Sequence, residues 1–258
     1  MKQPTQRMFG LKDVFTTINV IGGTVGICLC VDGRPYEAGI AVLLGYLIGD
    51  TLDGWIARKL GTSNEFGAQY DTIADHGSHC IAPAAIVYTV YRHADLGLPP
   101  RVTWILAMLL ASAIVAAATI RHARNVVRPI QYNGVWAGLP RSVLGFLCIA
   151  IANSRLLPFV PGGFWIGVGV IPILCVATLT YAPFPHHRLP RRHFWYVRAL
   201  IALFFITTFA VLAGWREFFF DVVFFWMAGY SLTGWMSLTG EERQKYREAV
   251  DLALSSKA

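Results

Sequence analysis

Charge is scarce in this chain. Asp, Glu, Lys and Arg make up 14% of its 258 residues, against roughly 25% in ordinary soluble domains, which argues against one or two soluble globular domains. The five cysteines (Cys28, Cys30, Cys80, Cys148 and Cys175) are odd in number, form no C-x2-C pair and lie in apolar stretches. Zinc and disulfide readings are therefore poor, and small buried packing residues are the better one. There is no internal repeat, no low-complexity tract and no basic domain interleaved with aromatics. The formal charge of +7 thus gives no support to a nucleic-acid partner, because cations in short loops beside apolar spans are explained by attraction to anionic lipid. No A-x-A-like cleavage site follows the apolar stretch Val14–Val31, so it reads as a retained first span and not a signal peptide.

Apolar residues are abundant, at 55%, and they come in long blocks. A helix needs roughly 17–25 such residues to cross a hydrocarbon core. Candidate spans lie near residues 14–31, 37–57, 69–91, 102–120, 139–157, 163–182, 197–214 and 218–238. The expected fold is an all-α polytopic membrane bundle of about eight helices. With both termini in the cytosol, 17 of the 22 Lys and Arg residues fall on the cytosolic side, as loop cations prefer. Trp165, Trp195, Tyr196, Trp215 and Trp235 stand near span ends, as interfacial anchors or as packing.

Against that apolar background one polar constellation stands out: Asp50, Asp53, Gly54, Ala57, Arg58, Gly67, Asp71 and Asp75, spaced D-x2-D-G-x2-A-R-x8-G-x3-D-x3-D. At about 100° per residue the first five share a stripe of about 140° on one helix. Gly67, Asp71 and Asp75 recur every fourth residue on the next helix and share a face. A short turn, Leu60–Phe66, makes the two helices antiparallel neighbours, so the four carboxylates can converge. Gathered carboxylates repel unless cations neutralise them, and oxygen donors suit hard ions such as Mg²⁺ or Mn²⁺. Two such ions could grip a diphosphate. Gly54 and Ala57 leave backbone bare for a base or phosphate, and Arg58 is placed for charge-assisted hydrogen bonds to a diphosphate. The competing readings are a buried carboxylate–arginine network that only holds helices together, and an acidic site in a cation channel or transporter. The latter leaves Gly54, Ala57 and Arg58 without a purpose.

The eight-residue pattern resembles the signature of the CDP-alcohol phosphotransferases, integral membrane enzymes of phospholipid synthesis. That resemblance implies that Asp50, Asp53, Asp71 and Asp75 hold two divalent ions. It implies that Asp75 is also the general base and that Asn19, Asp53, Gly54, Ala57, Arg58 and Gly67 hold the CDP moiety. It also implies a six-helix core, here residues 1–182, usually dimeric, to which 183–258 would add two helices and a short cytosolic helix. Asn19 is also readable as a helix–helix hydrogen bond.

Within that family, Gly61 through Asp71, Ala82-Pro83-Ala84, Arg121-His122-Ala123-Arg124-Asn125 and Gly138-Leu139-Pro140 resemble the integral-membrane phosphatidylserine synthases. The likeness covers roughly residues 14–145. It implies transfer of a phosphatidyl group from CDP-diacylglycerol to L-serine at the cytosolic face, most naturally of a bacterial inner membrane. The eight-span layout also resembles bacterial phosphatidylcholine synthases, so choline is a rival acceptor, followed by glycerol or inositol phosphate. The chain departs from the subgroup after Asp75, where His76-Gly77-Ser78-His79-Cys80 replaces a mostly apolar run with Phe-Gly. His79 shares the face of Asp75 and reads as an acceptor contact or a packed histidine, whereas His76 reads as structural. Arg121 and Arg124 share a face and read as a carboxylate pocket, a topology-setting pair or a binder of lipid phosphate. The basic loop Pro183–His193 is expected on the anionic leaflet. Gly22-x3-Gly26 and Gly45-x3-Gly49 are expected to permit close helix packing. Thr239-Gly240-Glu241-Glu242 reads as a capping box opening a short helix.

Overall fold

The computed structural model describes residues 9–50, 64–130, 132–186, 195–214 and 216–255. Asp53, Gly54, Ala57 and Arg58 of the constellation lie outside the described residues, and of Asp50 only the backbone is described. Trp215 and most of the basic loop after His186 likewise lie outside them.

The chain is almost wholly helical where described: α1 (Leu11–Val31), α2 (Pro35–Gly45), α3 (Glu65–His76), α4 (Ala82–Tyr91), α5 (Pro100–Val127), α6 (Arg141–Asn153), α7 (Phe164–Leu179), α8 (Trp195–Ala213), α9 (Phe219–Thr233) and α10 (Gly240–Ser255). Each of the eight expected apolar stretches contains helix in its described part. Among the described residues, Lys12–Val31 and Pro100–Val127 are long and apolar enough to cross a membrane. α6 and α7, with 13 and 16 residues, are shorter than the stretches 139–157 and 163–182 that contain them.

Two of the expected helices are not regular. α2 continues through a π-helical turn, Tyr46–Asp50, and α3 is joined to α4 by another, Gly77–Ile81. Each flanks part of the carboxylate constellation, in keeping with the tendency of π turns to occur at functional sites. The all-α expectation also needs an amendment. β1 (Val135–Ala137) pairs antiparallel with β2 (Pro183–Pro185), with Trp136 opposite Phe184, and so joins the loops that follow α5 and α7. Prolines at both ends of β2 cannot donate to a ladder, which keeps this ribbon short.

Glycines set the closest helix crossing. A β-carbon on Gly22 would stand 2.6 Å from the Cα of Gly45 and 2.8 Å from the carbonyl oxygen of Ala41. One on Gly49 would stand 2.6 Å from the amide nitrogen of Asn19. Both small-residue pairs thus bring α1 against the α2 segment, as their spacing implies. Gly23 packs on the π turn at Ser78, and Gly145 lets α6 press on the carbonyl of His79. α1, α6 and the π turn are in this way drawn around one point.

α9 belongs to the same core. Phe219, Phe220 and Val223 are buried in it, with Phe220 edge-on to Tyr36 of α2 at 5.0 Å between ring centroids. Buried Asp221 accepts hydrogen bonds from the Ser154 hydroxyl and from the amides of Arg155 (3.1 Å) and Leu156 (3.3 Å), capping the loop after α6. α10 opens with the expected capping box: the Thr239 amide donates to Glu242 Oε2 (3.0 Å), and the Glu242 amide donates to Thr239 Oγ1 (3.2 Å). Tyr246 of α10 donates to the carbonyl of Tyr181 at 2.8 Å. Burial pushes its hydroxyl up to about 12, so it remains a donor at neutral pH.

Replacing Gly22 by Val should force α1 and α2 apart. The expected cost is about 1–3 kcal/mol, as for overpacked cores, read as a lower unfolding midpoint in detergent. An unchanged midpoint would show that this crossing bears no close contact.

Candidate active site

Asp75 is the hub of the polar cluster. It lies near the end of α3, whose start is fixed by Asn64: its Oδ1 accepts from the amide of Gly67 at 2.7 Å, as an N-cap does. From that start the helix carries Asp71 and Asp75, four residues apart, on one face. Asp75 is 14% exposed and meets three groups from other turns of the fold. Arg141 Nη2, at the start of α6, donates to Asp75 Oδ2 at 2.7 Å. Asn19 Nδ2, from α1, donates to Oδ1 at 3.1 Å. His79 Nδ1, in the π turn, stands 3.4 Å from Oδ1, within ion-pair reach but without hydrogen-bond geometry.

The Asn19 contact is a hydrogen bond between α1 and α3, the second of its two sequence readings. His79 is packed as well as placed. It is 1% exposed and meets Tyr46 and Phe146 edge-on, with ring centroids 5.2 Å and 5.5 Å away. His76 contacts the Thr119 hydroxyl at 3.3 Å, in line with a structural role.

Gly67 faces α1. Any β-carbon there would meet the Lys12 ammonium and its neighbouring carbon, and would stand 2.7 Å from Asp13 Oδ1. Lys12 and Asp13 are both buried and stand 3.5 Å apart. Asp13 Oδ2 in turn accepts from the amide of Gly10 at 2.7 Å. Thr17 and Tyr70 bridge the same helices through their hydroxyls at 2.9 Å. Neither Lys12 nor Asp13 was singled out by sequence, beyond Lys12 as a loop cation.

Arg121 and Arg124, read as a pair, differ in their surroundings. Arg124 Nη1 donates to the carbonyls of Leu179 (2.6 Å) and Thr180 (3.0 Å), and Nη2 donates to that of Ala137 (3.1 Å). Its guanidinium also lies 4.5 Å from the Tyr181 ring centroid. It therefore caps the exposed carbonyls at the end of α7 and ties them to β1. Arg121 is buried, and its Nε has no hydrogen-bond partner among the described residues. The charges of Arg124 and Arg141 both act on it.

Arg141 is the residue that sequence reasoning missed, having been counted only as a cytosolic cation. It follows Gly138-Leu139-Pro140, where Gly138 adopts φ +73° against the carbonyls of Thr178 and Thr180. The ribbon and this turn aim the first residue of α6 at Asp75. A cation at a helix N-terminus opposes the helix dipole, so an acidic partner was to be expected.

No group of three or more metal-ligating side chains occurs among the described residues. Asp71 and Asp75 are nevertheless oxygen donors on one helical face, and Asp75 draws a cation to 2.7 Å. Asn19 Oδ1 and Asp13 Oδ1, the latter facing Lys12, are further buried oxygens without hydrogen-bond partners among the described residues. This donor chemistry fits a hard divalent ion.

The comparisons with known proteins agree with this chemistry. Residues 10–228 match the family model described as CDP-alcohol phosphatidyltransferase. An archaetidylserine synthase of Methanothermobacter thermautotrophicus is 35% identical over 95 residues, covering 35% of this chain and 40% of that protein. A CDP-diacylglycerol–serine O-phosphatidyltransferase of Methanocaldococcus jannaschii is 34% identical over 87 residues, 34% of this chain and 39% of its own length. The enzyme of the same description from Helicobacter pylori strain 26695 is 22% identical over 210 residues, 79% of this chain and 84% of its own. The matches to the two archaeal relatives thus span about two fifths of those proteins.

Arg124→Ala should release the ends of α7 and β1, at a cost of about 1–3 kcal/mol for a charged donor lost from backbone acceptors. Arg124→Lys should recover only part of it, because an ammonium lacks the fork. Unfolding midpoints of the two variants in detergent check this, and an unshifted Arg124→Ala would remove the clamp.

Proposed function

We propose that this chain, which belongs to the CDP-alcohol phosphatidyltransferase family, transfers the phosphatidyl group of CDP-diacylglycerol to the hydroxyl of L-serine, releasing CMP. The observation that carries the reading is the environment of Asp75: a part-buried carboxylate bonded to Arg141 and Asn19, with the charge of Arg141 also felt by buried Arg121. The names of the relatives support serine as acceptor. So does the charge of the cluster, since neighbouring guanidinium groups attract a carboxylate and repel a quaternary ammonium such as choline. An acceptor phosphate on glycerol or inositol would meet the same cations, and remains the second reading.

In the proposed reaction the serine hydroxyl gives its proton to Asp75 and attacks the phosphorus that carries the lipid. The bond from that phosphorus to the CMP oxygen breaks, and CMP leaves with the electron pair. Two Mg²⁺ or Mn²⁺ ions, held by Asp50, Asp53, Asp71 and Asp75, would neutralise charge on the diphosphate. Asn19, Gly54, Ala57, Arg58 and Gly67 would hold the CDP moiety, the last leaving room for Lys12 beside it. Arg121 and His79 would face the acceptor, while Arg124 would act on it through the ribbon it clamps.

The proposed setting is a multi-pass homodimer with the site and both termini on the cytosolic side. Helices at the eight apolar stretches, the two membrane-capable helices and the distribution of Lys and Arg support the topology. The dimer and the division into a six-helix core and a C-terminal addition follow from the family resemblance.

The test is CMP release by the purified protein in detergent with CDP-diacylglycerol, Mn²⁺ or Mg²⁺, and serine, choline, glycerol phosphate or inositol phosphate as acceptor. Serine-dependent release is expected, while release with choline alone would reassign the head group. Asp75→Asn should lower turnover by about 10²–10⁴-fold, the usual worth of a general base, with CDP-lipid binding retained. Full turnover in that variant would refute the assignment of the base.

A further inference from the structure

We infer that Arg141 is a mobile counter-ion: it neutralises Asp75 until a divalent ion does so, and then binds the anionic group of the acceptor. This inference rests on the transferase reading above. Its starting point is a conflict within the site. Arg141 Nη2 sits 2.7 Å from Asp75 Oδ2, and Asn19 Nδ2 and His79 Nδ1 flank Oδ1. A guanidinium held on Oδ2 lowers the affinity of that carboxylate for a proton and occupies the oxygen that a divalent ion would take. A divalent ion on that oxygen would compete with Arg141, and of the three neighbours of Asp75 the fold holds Arg141 least.

Asn19 is held by its helix. It is fully buried, and Gly49 packs against its backbone and Cβ with no room for a side chain. His79 is enclosed by Tyr46 and Phe146. Arg141 instead reaches Asp75 with a long flexible side chain, 16% exposed, from the first turn of α6. Its other terminal nitrogen, Nη1, is buried without a hydrogen-bond partner among the described residues. So is the Nε of Arg121, a group on which the charge of Arg141 acts.

Both nitrogens are donors that a bound anion could engage. Asp75 takes one guanidinium, and the Arg121 Nε is left without an acceptor among the described residues, an arrangement that favours bound carboxylate or phosphate. A divalent ion on Asp71 and Asp75 would repel Arg141, and an acceptor anion would receive it. Neutralisation of Asp75 and anchoring of the acceptor are then two positions of one side chain. Metal and acceptor should bind synergistically, since each removes the obstacle to the other.

The experiment compares the unsubstituted protein with Arg141→Gln and Arg141→Lys by titrating Mn²⁺ calorimetrically in detergent, without lipid substrate, and then measuring KM for serine and for CDP-diacylglycerol. Removal of the competing charge should tighten Mn²⁺ binding by Arg141→Gln, by roughly tenfold for a close cation on a carboxylate. Arg141→Lys keeps the charge and should bind Mn²⁺ about as the unsubstituted protein does. Loss of the fork should raise the KM for serine roughly tenfold or more in both variants, with little change in that for CDP-diacylglycerol. Unchanged or weaker Mn²⁺ binding by Arg141→Gln would overturn the exchange, and parallel rises in both KM values would overturn the acceptor contact. Should Arg141→Gln fail to fold, a serine KM unchanged in Arg141→Lys would still overturn that contact. If the unsubstituted protein released no CMP with any acceptor, the transferase reading would fail, while the Mn²⁺ isotherms would still decide whether Arg141 and the ion compete for Asp75.

Discussion

A carboxylate set among apolar helices has to be neutralised, and the arrangement around Asp75 follows from that requirement. Burial makes an uncompensated charge costly, so the groups able to answer it are drawn in from α1, the π turn and α6. Each donor needs its own means of approach. Asn19 depends on the glycine crossing of α1 with the α2 segment, and Arg141 depends on the ribbon that directs the start of α6. Packing that looks remote from the chemistry is in this sense the scaffold of one ionic contact.

Arg124 illustrates how far that scaffold extends. Its three carbonyl partners come from the end of α7, the turn beyond it and β1. The helix that carries Arg121 and Arg124 is thereby tied to the segment that presents Arg141. Two cations three residues apart have taken different tasks, one binding backbone and the other left among charged neighbours. Side-chain type and spacing do not distinguish these tasks, because two of the three carbonyls that claim Arg124 arrive from more than fifty residues away.

What could be read from sequence was what local periodicity governs. Helical spacing was enough to set Asp71 and Asp75 on one face, to flag Asn19 as a polar residue needing a partner, and to find the capping box of α10. The short ribbon escaped notice because three-residue strands flanked by proline carry no periodic signal. The pairing of Arg141 with Asp75 joins positions 66 residues apart, and only the tertiary path of the chain creates it. Even so, an arginine in the first turn of a helix was a legible anomaly, and it was passed over because loop cations already had an explanation in topology.

The π turn Gly77–Ile81 has a consequence for how the segment tolerates change. Such a turn amounts to one residue more than a regular helix holds over the same rise. Deleting one of its residues would restore uniform winding and leave α4 in phase with α3, whereas the same deletion from a regular stretch would turn one half by about 100° against the other. The surplus residue is thus absorbed where it stands, and the segment could lose it there while its acidic and apolar halves keep their bearings on the neighbouring helices.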